Sequence, residues 1–146
     1  MTGTWDGDTF VSHVRVYYED TDAAGIVYYA NYLKFAERAR TESLRALGIE
    51  QGRLLAESGV AFAVRRALAD YRKPARLDDL LEVRTRLTAL AGASLDMEQE
   101  IRRDGAVLVA LSFKLACMRL DAGRPERIPE PVRTVLAARF HANHQS

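Results

Sequence analysis

Two aspartates, Asp20 and Asp22, lie where the sequence changes from a strand pattern to a helix pattern. The helix pattern begins at Tyr29 or Asn31, so both carboxylates fall in the loop that leads to a helix N-terminus. A helix N-terminus has unpaired backbone N–H groups and a partial positive charge, which can bind an oxyanion or polarise a carbonyl. A carboxylate beside it can act as a nucleophile or as a general base on water. The simpler alternative is that both aspartates only stabilise turns.

The residues around these aspartates resemble the active-site signature of a known family. The order D-T-D-x-x-G-I-V-Y occupies residues 20–28, N-Y follows at 31–32 and F-A-E-R-A-R-T-E at 35–42. This pattern is similar to that of the 4-hydroxybenzoyl-CoA thioesterase family, and within it most similar to the YbgC branch, the acyl-CoA thioesterases associated with the Tol-Pal system. The similarity continues through A-R-L-D-D at 75–79 and covers most of the chain. It implies an acyl-CoA thioesterase.

The resemblance also implies roles for individual residues. Asp22 matches the catalytic carboxylate of the family, and Tyr29 matches the position whose backbone N–H faces the thioester oxygen. A histidine is common at that position in the YbgC branch, so a tyrosine there puts an acid role for the side chain in doubt. Gly25 is expected to permit a backbone path or a close approach that a side chain would obstruct. We interpret Asp20 as structural, bonding N–H groups of the turn.

The residues that bind the substrate are less well marked. Phe62 and Val64 are expected to line an acyl tunnel, although core packing is the simpler reading of apolar residues at strand spacing. Ser94 ends a turn, at 91–94, where hydroxybenzoyl-type relatives have a basic cluster, and we place it with the substrate-binding residues. That departure leaves the ligands of the CoA phosphates unassigned and keeps acyl carrier protein as an alternative carrier. The available basic residues are Arg65, Arg66, Arg72, Lys73 and Arg76.

Composition limits the class of protein. With 146 residues the chain suits one domain, 1–146, that can bury a sizeable core. A formal net charge of +1 gives no reason to expect nucleic acid or an anionic membrane as a partner. No apolar run approaches the ~20 residues of a membrane-spanning helix. The N-terminal residues lack the basic start and apolar core of a signal peptide, so we expect a cytoplasmic protein without membrane insertion.

Other hydrolytic or cofactor-dependent chemistries lack their motifs. The sequence has no G-x-S-x-G elbow, H-E-x-x-H motif or P-loop, so we expect no metal and no cofactor. The single cysteine, Cys117, lies in a long apolar strand pattern, which favours a buried, inert thiol. Hotdog dehydratases depend on a histidine on or near the central helix, and residues 30–47 contain none. Carboxylate chemistry at the helix start is what remains.

The hydrophobic pattern predicts an α+β fold with an antiparallel sheet wrapped around a long helix. Residues 1–9 are expected to form a loose arm, and Gly48 to cap the long helix. We predict a bulge near Arg65–Arg66, a tight turn at Asp104–Gly105, and a strand at 107–118 that is central or covered by a partner. The predicted helices are 29–47, 50–57 and 131–140, and the predicted strands are 10–18, 60–71, 81–87, 95–102 and 107–118. The residues expected to form the buried stripe of the long helix are Tyr32, Phe35, Ala36, Ala39, Ser43, Ala46 and Leu47.

The family resemblance specifies this architecture as the hotdog fold, in which two sheets join edge to edge in a dimer and dimers often pair into tetramers. We therefore expect a homodimer or a tetramer that takes acyl-CoA. The competing hypothesis is a non-catalytic hotdog protein that binds acyl thioesters or acts as a scaffold linked to the cell envelope. The presence of Asp22, Gly25 and the helix start favours an enzyme.

Overall fold

The computed structural model describes residues 2–145, and it describes side chains for residues 2–139. Its strands are β1 (Gly3–Asp6), β2 (Thr9–Arg15), β3 (Val60–Tyr71), β4 (Leu80–Leu90), β5 (Ser94–Arg103), β6 (Ala106–Arg119) and β7 (Arg124–Pro125). Its helices are α1 (Tyr29–Ala46), α2 (Gln51–Ser58) and α3 (Glu130–Gln145), with a 3₁₀ turn at Tyr18–Asp20. Strand pairing is antiparallel throughout, and the sheet order is β1-β2-β4-β5-β6-β3. The predicted α+β class is confirmed.

Helix α1 packs on the sheet through one face. Its buried residues are Tyr32, Phe35, Ala36, Ala39, Arg40, Ser43 and Leu44. The predicted stripe is therefore right over most of its length but wrong at Ala46, which is exposed, and it omitted Arg40 and Leu44. The helix ends at Ala46, and Gly48 (φ +83°) caps it as predicted. The N–H of Gly48 donates to the carbonyl of Arg45 and that of Ile49 to the carbonyl of Leu44, both at 2.9 Å.

Arg40 reaches the sheet from this buried face. Its guanidinium lies 3.9 Å from the ring centroid of Phe113, and Nη1 donates a hydrogen bond of 3.1 Å to the side-chain oxygen of Gln99. The amide of Gln99 in turn donates to the carbonyl of Ala36 and to Thr85 Oγ1. Burial lowers the pKa of Arg40 to about 10, which still leaves it charged at neutral pH. A polar network therefore joins α1 to the middle of the sheet.

The predicted irregularities of the strands are confirmed. The pairing of β3 with β6 shifts register between Val64 and Arg66. Asp104 and Gly105 both have positive φ (+51° and +82°), as a tight hairpin of the mirror-image type requires. Strand β6 lies between β5 and β3 and is therefore an interior strand of the sheet. Cys117 on β6 is fully buried, and burial raises the pKa of its thiol.

Several predicted boundaries were wrong, among them the end of β4, which runs to Leu90 and not to residue 87. Residues 3–6 are not a loose arm but strand β1, which pairs with β2 and holds Trp5 against Phe10 with a centroid separation of 5.2 Å. Strand β2 ends at Arg15 rather than Tyr18, which lies in the 3₁₀ turn with its side chain 82% exposed. Helix α3 begins at Glu130 and extends past 140. Among the described residues, no helix combines the length and apolar character needed to cross a membrane.

Candidate active site

Asp20 ends the 3₁₀ turn in the loop between β2 and α1, and its hydrogen bonds are structural. Its carboxylate accepts the backbone N–H of Tyr17 at 2.8 Å and the side-chain amide of Asn31 at 3.1 Å. Its carbonyl accepts the N–H of Tyr28 at 3.0 Å. The prediction that Asp20 bonds N–H groups of the turn is therefore confirmed. Through Asn31 and Tyr28, Asp20 fixes the loop to the first turn of α1.

Asp22 lies at the tip of a small two-stranded turn. Its N–H donates to the carbonyl of Ile26 at 2.9 Å, its carbonyl accepts the N–H of Gly25 at 3.1 Å, and Thr21 pairs with Val27. Its carboxylate is exposed to solvent and accepts the N–H of Ala24 at 2.8 Å. This bond fixes the rotamer but occupies only one oxygen, so lone pairs remain for a substrate or a water.

Gly25 closes this turn with φ +78°, a conformation that L side chains adopt rarely. A Cβ placed on Gly25 would have no heavy atom within 4 Å. Of the two predicted reasons for glycine, the structure therefore supports the backbone path and not a close approach within the chain.

Helix α1 starts without a cap. Tyr28 at the cap position makes no side-chain cap hydrogen bond, and the first turn contains no acidic residue. The N–H of Asn31 donates to the carbonyl of Tyr28 at 2.8 Å. In the part of the chain that the structure describes, this leaves the N–H groups of Tyr29 and Ala30 without an intrahelical or capping partner. Such groups can hydrogen-bond an oxyanion.

A cavity of about 340 Å³ opens beside this helix start, and we call it the helix-start cavity. Six aromatic or apolar residues and two cationic ones surround it; the lining residues are Ile26, Val27, Tyr29, Tyr32, Tyr71, Arg72, Lys73 and Pro74. The Tyr71 ring lies 6.2 Å from that of Tyr29 and 5.7 Å from that of Tyr32, measured between centroids. Burial raises the pKa of Tyr71, so its phenol stays protonated at neutral pH.

Asp22 is connected to this cavity through Ile26, because the N–H of Asp22 donates to the carbonyl of Ile26 and Ile26 lines the cavity. The cavity lining itself contains no carboxylate and no histidine. In the neighbouring loop, the exposed Asp22 carboxylate has free lone pairs.

The expected substrate-binding residues do not form one wall. Phe62 and Val64 pair with Cys117 and Leu115, whereas Ser94 pairs with Ala116. Because neighbouring residues of a strand point to opposite faces, Ser94 lies on the other face of the sheet from Phe62. Phe62 packs against the core.

Val64 and Ser94 do border a second cavity, of about 530 Å³, at the open edge of β3. We call it the β3-edge cavity; its lining residues are Ala63, Val64, Arg65, Ala93, Ser94, Ala116, Met118 and Pro125. Val64 is 51% exposed there, as is expected of an edge residue that no other segment of the described chain covers.

Sequence reasoning missed the residues that hold the Asp22 loop in place. We call residues 74–79, between β3 and β4, the platform. Ala75 accepts the N–H of Val27 at 2.9 Å, and Leu77 donates to the carbonyl of Gly25 at 3.2 Å. The A-R-L-D-D motif of this segment was visible in the sequence, but nothing in it indicated which loop it would contact.

Comparisons with known proteins agree with this arrangement. Residues 16–136 match the family model of the thioesterase-like superfamily. The chain is 46% identical over 128 residues to the acyl-CoA thioesterase YbgC of Haemophilus influenzae, covering 88% of this chain and 91% of that protein. It is 44% identical to the acyl-CoA thioester hydrolase YbgC of Escherichia coli O157:H7, covering 82% of this chain and 89% of that protein.

Among solved structures, that of a gentisyl-coenzyme A thioesterase is 30% identical and matches with a TM-score of 0.77, covering 84% of this chain and 98% of the other. These matches confirm the resemblance predicted from the D-T-D motif, and with it the hotdog fold. The chain therefore belongs to the thioesterase-like superfamily.

Proposed function

We propose that this protein hydrolyses acyl-CoA thioesters to the free acid and the CoA thiol. The observation that carries the proposal is the exposed Asp22 carboxylate on a loop hydrogen-bonded to an uncapped helix start, beside the helix-start cavity. Relatives at 44–46% identity over most of the chain bear names of the same activity.

In the proposed mechanism, the thioester carbonyl oxygen accepts the backbone N–H of Tyr29. As the tetrahedral centre forms, the negative charge on that oxygen is stabilised by the N–H and by the positive end of α1; one such donor is worth ~3–4 kcal/mol of barrier. Asp22 either attacks the carbonyl carbon, giving a mixed anhydride that water hydrolyses, or removes a proton from the attacking water. Both routes expel the CoA thiolate, which takes up a proton.

The two routes differ in the timing of product release. If Asp22 is the nucleophile, single-turnover experiments will release thiol before acid, because the acyl group stays on the enzyme. If Asp22 is a general base, thiol and acid will be released together. Rapid quenching with quantification of both products distinguishes the routes.

We also propose a homodimer, joined edge to edge through β3, as the smallest active unit, and a tetramer as a pair of such dimers. Strand β3 has 12 residues and pairs only with β6 among the described strands, leaving a long edge with Leu68 67% exposed. Native proteins usually cover an edge of this length. An antiparallel pairing centred on β3 places Tyr71 of one copy opposite Val60 of the other, and Val64 opposite Ala67.

This dimer gives the expected substrate residues a place in the site. The β3-edge cavity of one copy, bordered by Val64 and Ser94, would then continue into the helix-start cavity of its partner copy. Arg65 lines the first cavity, and Arg72 and Lys73 line the second, so cations for the CoA phosphates are present along this path. Acyl carrier protein is the alternative carrier, and we place the activity in the cytoplasm.

The decisive experiment is a thiol-release assay with acyl-CoA substrates of increasing chain length and with benzoyl-CoA. Asp22→Asn should abolish turnover with every substrate while leaving substrate binding and oligomer size nearly unchanged. Asp121→Asn is the matched control, because Asp121 is an exposed residue of the turn between β6 and β7 and lines neither cavity. Full activity of Asp22→Asn would refute the assignment. Binding without thiol release for every substrate would instead favour a scaffold.

A further inference from the structure

One hydrogen bond joins helix α1 directly to the platform. The hydroxyl oxygen of Tyr32 accepts the backbone N–H of Ala75 at 2.9 Å. Both residues are buried, with Tyr32 3% and Ala75 0% exposed. Burial is the main reason that the pKa of Tyr32 is raised, so the phenol stays neutral at physiological pH. Tyr32 lies in the first turn of the helix whose start presents the N–H of Tyr29.

The platform in turn contacts three consecutive residues of the loop that carries Asp22. The carbonyl of Ala75 accepts the N–H of Val27 at 2.9 Å, Arg76 pairs with Ile26, and the N–H of Leu77 donates to Gly25 at 3.2 Å. The carbonyl of Ile26 then accepts the N–H of Asp22 at 2.9 Å. A continuous chain of short hydrogen bonds thus runs from Tyr32 through Ala75 to Asp22.

A second contact anchors the far end of the platform. The carboxylate of Asp79 accepts the N–H of Arg76 at 2.8 Å and Nη1 of Arg103 at 2.7 Å. Nη1 of Arg103 also lies 3.4 Å from the carbonyl of Pro74. The platform belongs to no strand, and these side chains and the Tyr32 hydroxyl support it together with the backbone hydrogen bonds that Asp78 and Asp79 make with Val16, at 3.0 and 2.9 Å.

We infer that Tyr32 is a positioning residue, which sets the distance between the Asp22 carboxylate and the Tyr29 N–H by tying the platform to helix α1. Arg103 supports the same geometry from the opposite end of the platform. Neither side chain touches the reacting atoms in the proposed mechanism. The catalytic part of this inference rests on the proposed function, whereas the mechanical part concerns the loop alone.

The test is Tyr32→Phe, which removes the hydroxyl and keeps the ring. Because a displacement of about 1 Å at a reacting group can cost up to 100-fold in rate, we expect kcat to fall about 10- to 100-fold with KM changed less than threefold. Arg103→Gln should act in the same direction. Val83→Ala is the matched stability control, because Val83 is fully buried on β4 and lies outside the platform.

Amide hydrogen exchange gives a readout that does not depend on catalysis. In Tyr32→Phe, exchange should increase selectively at residues 21–27 and 75–77, whereas Val83→Ala should affect the sheet and leave kcat unchanged. Unchanged kcat in Tyr32→Phe, or exchange that rises evenly over the sheet, would overturn the inference. If Asp22→Asn were fully active, the proposed function would fail, and the local exchange result would still decide whether Tyr32 holds the loop.

Discussion

The side-chain amide of Asn31 donates a hydrogen bond of 3.1 Å to the carboxylate of Asp20, linking the first turn of helix α1 to the loop before it. Asp22, two residues after Asp20, makes no such link to the helix in the described structure. Its carboxylate accepts only the N–H of Ala24. Two aspartates of one short motif thus have different environments, one fixed on both oxygens and one open to solvent.

This difference predicts a milder phenotype for Asp20→Asn than for Asp22→Asn. An asparagine at position 20 keeps one acceptor oxygen and loses the other, so one of its two partners, Tyr17 N–H or Asn31, is left unpaired. We expect a stability loss of about 1 kcal/mol and a kcat within tenfold of the parent. Thermal unfolding and steady-state kinetics of both variants provide the comparison. Complete inactivity of Asp20→Asn in a folded protein would contradict this division of roles.

Substitutions of Gly25 should follow backbone conformation rather than side-chain volume, because the position has φ +78° and open space around it. Gly25→Ala should cost about 1 kcal/mol, Gly25→Asn less, and the β-branched Gly25→Val more. Thermal melts of the three variants give the order. Gly52→Ala is the control, since Gly52 lies in helix α2 with equally open space, and alanine should stabilise it. An order that followed size alone, with asparagine worse than alanine, would argue for a steric role.

Asp79 should contribute stability that depends on pH. Burial alone would raise the pKa of this carboxyl, but the hydrogen bonds from Arg103 and the Arg76 amide, with the charges of both arginines, hold it below its ordinary value of 3.8. The unfolded chain therefore takes up a proton at higher pH than the native state does. The contribution of Asp79 is complete above about pH 5 and is lost as the pH falls through the lowered native value. Urea unfolding of the parent and Asp79→Asn should differ at pH 7 and converge in acid; a constant difference would refute this.

Arg40 should matter for stability and not for catalysis, because its contacts with Phe113 and Gln99 lie in the core. Arg40→Ala leaves a cavity and an unpaired acceptor on Gln99, and we expect a cost of roughly 2–4 kcal/mol. Arg40→Met keeps most of the volume and removes the buried charge, so its cost should be clearly smaller. Chemical denaturation measures both, and kcat per folded molecule should stay at the parental value. A large change of kcat in Arg40→Met would contradict this prediction and indicate that Arg40 contributes to the candidate active site.

The proposed dimer predicts that a charge on the open edge of β3 weakens association. In Leu68→Asp, the pairing centred on β3 would place the new carboxylate opposite Ala63 of the other copy, where burying a charge is unfavourable, and we expect the dimer dissociation constant to rise at least tenfold. Sedimentation velocity over a concentration series measures this, and activity per chain should fall together with the dimer. Leu120→Asp is the control, because Leu120 is 52% exposed but lies outside β3. If Leu68→Asp remained dimeric and active, the edge-to-edge arrangement would be wrong.

The parts of the fold that the sequence could predict are those with a local signal. Alternating apolar residues mark β3, β4 and β5, a run that is apolar on both faces marks β6, and Asp104–Gly105 specifies a turn that few other dipeptides form. Strand β1 has no such signal, because Gly3, Thr4 and Asp6 are polar or small and only Trp5 packs on its neighbour. Arg40 was missed for the same reason: a cation breaks an apolar stripe, and only a partner such as Gln99, 59 residues away, makes its burial favourable.

The candidate site also contains residues that a local motif predicts and contacts that no local pattern predicts. Asp22, Gly25 and Tyr29 are contiguous enough for a motif to reveal them. The contact between Tyr32 and Ala75 spans 43 residues, and no local pattern encodes it. Phe62 and Ser94 point to opposite faces because of the registers in which β3 and β5 pair with β6. An alternating sequence does not fix such a register, and a shift of one residue would turn each side chain to the other face.

The burial of Cys117 has a practical consequence at the bench. It is the only cysteine of the chain, and its side chain is fully buried. Colorimetric disulfide reagents such as Ellman's can therefore be left in the cuvette throughout turnover. The colour that develops will count coenzyme molecules set free, with no background from the folded catalyst, and a slow extra signal of one equivalent per chain will report its unfolding.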